Sequence, residues 1–69
     1  MDTNVFSYIL AVADSKSISG AARQLFMSQP ALTKQLGKLE SELGFKIFDR
    51  SHSPLTVTEK GKIFLEFAV

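Results

Sequence analysis

Cysteine is absent from this 69-residue sequence, so neither a disulfide framework nor a thiolate metal site can reinforce the fold. A chain of this size buries only about 60% of the surface its unfolded form exposes, which leaves room for one thin core held by packing alone. Long hydrophobic runs are missing too. The apolar residues come in short groups, none near the roughly 18 residues that cross a bilayer, and no basic stretch followed by an apolar block opens the chain. A soluble, cytoplasmic protein with no membrane partner is expected, and the lack of cysteine suits a reducing compartment. Signatures of catalysis are equally scarce. There is no phosphate-binding glycine loop and no serine in a glycine-shaped elbow. The single histidine, His52, has no second His or Cys at ligand spacing. No enzyme, no metal site and no cofactor are expected. An excess of one charge is also lacking: eight Lys plus Arg face seven Asp plus Glu, for a net charge of +1. That is weak support for a nucleic-acid partner, and the placement of the basic residues has to decide.

What is present is helical punctuation. From Asn4 to about Ser15, Val5, Phe6, Ile9, Leu10 and Ala13 recur at the spacing of one buried helical face. After the polar interval Asp14 to Ser17, Ser17 or Ser19 can cap a short second helix carrying Ile18, Ala21, Ala22 and Leu25 on one side. The paired alanines allow another helix to approach closely. A brief turn, Phe26-Met27-Ser28, leads to a third helix. Ser28 is its cap, Pro30 fits its first turn, and Gly44 stops it in a left-handed position. Leu32, Leu36, Leu39 and Leu43 form one stripe of that helix, whereas Pro30, Lys34, Gly37, Lys38 and Ser41 face away, flanked by Gln29 and Thr33. Phe6, Phe45 and Phe48 join the leucines as expected core residues. The period then changes: Phe45 and Ile47, and later Leu55 and Val57, alternate with polar residues around a polar tip from Asp49 to Pro54, the pattern of a small hairpin. Thr58 caps a fourth helix that still runs at Val69. The class expected is mainly α, a three-helix core with a two-stranded β-hairpin and the start of a further helix.

Two short helices and a capped third, with a hairpin behind them, make a winged helix-turn-helix. Its leucine stripe anchors the third helix and leaves the polar start of that helix free for a DNA major groove, where base edges differ. Gln29 can pair with adenine, Thr33 can bond a base edge or touch a thymine methyl, and Lys34 can reach guanine or a phosphate. Unpaired N–H groups near Ser28 to Ala31 form a phosphate seat, and Ser17 and Ser19 can act likewise at the second helix. Arg23, Lys34, Lys38 and Arg50 can share this side, with Asp2, Glu40, Glu42 and Glu66 placed near helix ends or on other segments. Lys38 has Glu42 four residues on as an alternative partner, and Arg50 has Asp49 or a hairpin carbonyl. The fourth helix carries more apolar surface than the domain can cover. Ile63, Phe64, Phe67 and Ala68 suggest a partner helix from a second copy, unless residues after Val69 cover them.

The run AARQLFMSQPALTKQLGKLESELGFKIFDR followed by LTVTEKG closely resembles the N-terminal DNA-binding domain of LysR-type transcriptional regulators, over essentially all 69 residues. The resemblance implies a third helix in the major groove, a wing near the minor groove, and a double-stranded operator read by a homodimer or homotetramer. It further implies a linker helix that pairs two chains and a small-molecule effector bound by a C-terminal domain outside this sequence. Residues 1–58 then form the DNA-binding domain and 59–69 the start of the linker. By position, Ser28, Gln29, Pro30, Thr33 and Lys34 match the recognition segment and Arg50 the arginine that opens the wing, where His52 and Ser53 are also assigned to DNA. The tip Ser51-His52-Ser53-Pro54 has one imidazole in place of permanent cations, so weak wing anchoring is expected. Gly37 stands where a larger polar residue is common. The alternative is a winged helix used only for protein association, against which Gln29, Thr33 and Lys34 argue.

Overall fold

Helix-forming segments and their stops appear in the computed structural model, which describes residues 3–51 and 53–68, in the order α1 (Thr3–Ser15), α2 (Ile18–Gln24), α3 (Gln29–Leu43), β1 (Phe48–Asp49), β2 (Thr56–Val57) and α4 (Glu59–Ala68). The starts of α2 and α3 have a physical cause. Ser17 caps α2 by accepting a hydrogen bond from the Gly20 N–H at 3.1 Å, and Ser28 caps α3 by accepting from the Ala31 N–H at 3.2 Å. Pro30 lies in the first turn of α3, where a missing N–H costs nothing. Gly44 ends α3 at φ 81°, a left-handed conformation that suits glycine, and its N–H returns to the Glu40 carbonyl at 2.9 Å.

α1, α2 and α3 close around Ile9, Val12, Ala21, Ala22, Leu32, Leu36 and Leu39, all buried, and the alanines of α2 let the helices meet closely. Removing Leu32 or Leu36 to alanine in such a core costs about 2–5 kcal/mol. Phe48 is buried beside them, whereas Phe6, Phe45 and Leu43, also expected in the core, are only half-buried. The two phenylalanines pack on α4 instead. The Phe6 and Phe64 rings stack with centroids 6.2 Å apart, and Phe45 meets Phe64 edge-on at 6.4 Å.

The hairpin is shorter than its alternation suggests. Two antiparallel pairs, Phe48 with Val57 and Asp49 with Thr56, make up the ladder. The limit is set by Glu40, an acid expected from the sequence to lie near a helix end or on another segment, away from the basic side. Its side chain is only 3% exposed, and its carboxylate accepts from the Ile47 N–H at 2.7 Å, the Phe48 N–H at 3.2 Å and the Arg50 guanidinium at 3.0 Å. The Ile47 N–H, which a longer ladder would use, is thereby withdrawn from it, while Phe48 is already paired with Val57. The Ile47 carbonyl is engaged as well, accepting from the Thr58 N–H at 2.9 Å and the Thr58 hydroxyl at 3.2 Å. Thr58 also accepts from the Gly61 N–H at 3.0 Å, so it caps α4 while tying that helix to residues 46–47. Gly61 is buried against the same strip. A Cβ there would collide with the Ile47 carbonyl, while one at Gly37 would meet nothing within 4 Å.

Three substitutions test this packing. Glu40→Ala should lower unfolding free energy by about 2–4 kcal/mol, because two buried N–H groups and a guanidinium lose their acceptor. Gly61→Ala should cost about 1–3 kcal/mol by overpacking, whereas Gly37→Ala should add about 0.5–1 kcal/mol of helix propensity. Urea titrations followed by circular dichroism check all three, and equal effects at the two glycines would contradict the packing described.

Candidate nucleic-acid interface

α3 presents two unlike sides. Leu32, Leu36 and Leu39 are buried and hold the helix, while Gln29, Pro30, Ala31, Thr33, Lys34 and Lys38 are exposed from its start onward. Pinned on one side and open on the other, the helix has its polar groups held ready at low entropic cost. Ser28 is exposed too, and its capping role uses a lone pair, leaving the hydroxyl proton available to an outside acceptor.

The first turn of α3 borders a shallow polar cleft of about 230 Å³ lined by residues of three segments, among them Lys16, Ser17, Ser19, Gln29, Arg50 and Ser53. It gathers Ser17, Gln29, Arg50 and Ser53 of the expected site in one place. The Ser17 and Ser19 hydroxyls lie 3.1 Å apart. Lys16, which the sequence reading did not single out, has φ 56°, and its carbonyl accepts from the Leu55 N–H at 3.3 Å, which joins the α1–α2 turn to the far end of the hairpin loop. The cleft is therefore framed by backbone held at both sides. Thr33, Lys34 and Lys38 are not among its lining residues and continue the exposed polar surface along α3.

Arg50 has a partner within the chain other than the alternatives its sequence position offered. Neither Asp49 nor a hairpin carbonyl holds it: the guanidinium pairs with Glu40 at 3.0 Å and its side chain stays 33% exposed. The Asp49 carboxylate accepts from the Ser51 N–H at 2.9 Å and the Ser51 hydroxyl at 2.6 Å. One Glu40 oxygen bonds Arg50 and the other the backbone, so part of the guanidinium's donor fork still faces outward. Lys38 and Glu42 are both exposed and form no ion pair. His52 lies outside the described residues. On α4, Ile63 is 53% and Phe67 85% exposed, but Phe64, expected to face a partner, is half-buried against Phe6 and Phe45 within the same chain. Ala68 closes that helix. Ile63, Phe64 and Phe67 border an apolar groove of about 480 Å³.

Among the described residues, no group of three or more His, Cys, Asp or Glu is placed to hold a metal ion, and no helix is long and apolar enough to cross a membrane. Sequence reasoning missed Glu40 as the residue that orients Arg50. A signal was available, since Glu40 follows Leu36 by four and so falls on the leucine stripe.

Comparison with known proteins agrees with this geometry. The family model described as bacterial regulatory helix-turn-helix protein, lysR family, matches residues 3–62. An uncharacterized HTH-type transcriptional regulator of Bacillus subtilis, YcgK, is 43% identical over 68 residues, covering 99% of this chain and 21% of its own length. The chain thus spans about a fifth of that relative. Among solved structures, the BenM DNA-binding domain in complex with benA site 1 DNA superposes with a TM-score of 0.93 at 34% identity, over 99% of this chain and 76% of that one. The CbnR DNA-binding domain in its DNA complex gives a TM-score of 0.89 at 38% identity, over 99% and 78% of the two chains. With its winged helix-turn-helix and a family match along most of its length, the chain belongs to the LysR family of bacterial regulatory helix-turn-helix proteins.

Proposed function

We propose that this chain binds double-stranded DNA sequence-specifically, as the operator-reading part of a transcriptional regulator, with α3 in the major groove and the hairpin loop near the adjoining minor groove. The observation that carries this reading is the exposed row Gln29, Pro30, Thr33 and Lys34 on a helix whose opposite side is buried. A major groove admits one helix and displays a distinct donor and acceptor pattern for each base pair. Gln29 and Thr33 read base edges, and Lys34 adds a guanine or phosphate contact. Ser17, Ser28, Lys38 and Ser53 position the sugar-phosphate backbone, and His52 is assigned to the same wing contact. Arg50 reaches a phosphate with the donors that Glu40 leaves free. Relatives crystallised with DNA support the reading, as does an arrangement in which Glu40 is buried while Lys16, Lys34 and Arg50 remain accessible.

A second copy completes the unit. Ile63 and Phe67 on α4 leave an apolar face next to the groove bordered by Phe6, Phe45 and Phe64, and pairing along α4, residues 59–69 acting as a linker, covers it. Two copies then set their α3 helices in successive major grooves, about 34–36 Å apart, on a partly palindromic operator in the cytoplasm.

Fluorescence anisotropy against duplex from upstream of the chain's own gene and a scrambled duplex, at two salt concentrations, tests the main proposal. Tighter, salt-sensitive binding to the native duplex is expected, and equal or absent binding to both by folded protein refutes it. Gln29→Ala should lose about 1–3 kcal/mol of discrimination at one base pair. Lys34→Ala should weaken binding and reduce the salt slope by about 1. Lys34 serves better here than Arg50, whose removal also strips Glu40 of its cation. Phe67→Asp should lower the sedimentation mass toward one chain without loss of fold; an unchanged mass would count against pairing through α4.

A further inference from the structure

Phe26 is the large apolar side chain that the fold explains least. Ile63 and Phe67 share the exposed face of α4, but Phe26 stands in the turn between α2 and α3 and is 98% exposed. Its backbone has φ 58°, a left-handed conformation that crowds the Cβ of any residue but glycine and is otherwise best tolerated by asparagine. The turn enforces that conformation. The Phe26 N–H donates to the Arg23 carbonyl at 3.2 Å and the Met27 N–H to the Ala22 carbonyl at 2.8 Å, the pair of bonds of a Schellman helix stop with Phe26 at its left-handed position. Met27 is the residue that turns inward and packs against the core. The ring of Phe26 is thus held outside, with no burial to offset either its exposure or its backbone strain.

Its location gives that ring a use. Phe26 is two residues before the Ser28 cap and three before Gln29, a span of at most about 11 Å even when fully extended. With the first turn of α3 in a major groove, the ring comes within reach of the groove edge. The apolar feature displayed there is the 5-methyl group of thymine, and a phenylalanine ring is one of the side chains that packs on it. We propose that Phe26 is a specificity-determining residue that reads a thymine methyl at the edge of the site bound by α3. This inference rests on the DNA-reading function proposed above. The contact is uncharged, so it adds sequence preference without changing how many phosphates the protein neutralises.

The test starts by selecting, from duplexes with a randomised core, the sequence that the wild-type protein enriches. Each thymine of that sequence is then replaced in turn by uracil, which removes only the methyl group. Affinities of wild type and Phe26→Asn are measured by anisotropy at two salt concentrations. One uracil replacement should weaken the wild type about three- to fivefold, the scale of one methyl-sized apolar contact. The same replacement should leave Phe26→Asn unaffected, and this variant should bind the all-thymine duplex more weakly by the same factor. Its salt slope should match the wild type, and its thermal midpoint should be no lower, since asparagine relieves the left-handed strain and no buried surface is lost. If no uracil position distinguishes the two proteins, the proposal is wrong. That covers a variant that loses affinity equally on every duplex, as for a sugar contact, and one that loses none, as for a ring kept for a protein partner. A wild type that enriches no sequence removes the DNA reading itself, a result visible before the variant is made.

Discussion

One carboxylate joins the helical part of this molecule to its hairpin. Glu40 projects from α3 into a site where it is nearly inaccessible and meets two backbone N–H groups and one guanidinium. A buried carboxylate is tolerable only with such a full set of donors. Because its partners belong to residues 47, 48 and 50, satisfying the charge fixes the path of the chain leaving α3. Thr58 and Gly61 then press α4 onto the other side of the same short strip. The strip is held from both helices, and neither the strands, with two residues each, nor the thin core has to do this alone.

The same carboxylate shapes the electrostatics. A net charge of +1 says little about partners, yet the charges are unevenly available. Glu40 is buried and Asp49 accepts from Ser51, while Lys16, Lys34, Lys38 and Arg50 remain exposed around α3 and the hairpin. Acids near the proposed interface are satisfied within the chain, so the field they present outward is weakened where a polyanion would approach.

Much of this was legible from local chemistry. Ser17, Ser28, Pro30, Gly44 and Thr58 mark helix boundaries through short-range hydrogen bonding and backbone preference, and the helices begin or end at them. The leucine stripe of α3 likewise depends on the helical period alone. What escaped depends on distant parts of the chain. The role of Glu40 was missed because glutamate is ordinarily solvated, although its place on the leucine stripe pointed inward. The hairpin was overextended toward Phe45 because alternation cannot show that N–H groups are taken by a side chain of another element. Phe6, Phe45 and Phe64 were divided between core and partner surface, whereas they pack on one another. The conformation of Phe26 was hidden because its left-handed φ comes from the closing bonds of α2, and phenylalanine carries no signal for it.

The loop between β1 and β2 is secured at its two ends by different means: the Arg50 side chain on Glu40 at one, the Leu55 backbone on the Lys16 carbonyl at the other. Ser51, Ser53 and Pro54 between them are exposed. Such a segment behaves as an exchangeable cassette. Lengthening a loop whose ends are already fixed adds little closure entropy, so its composition and size can drift through evolution while the scaffold that presents it stays as it is.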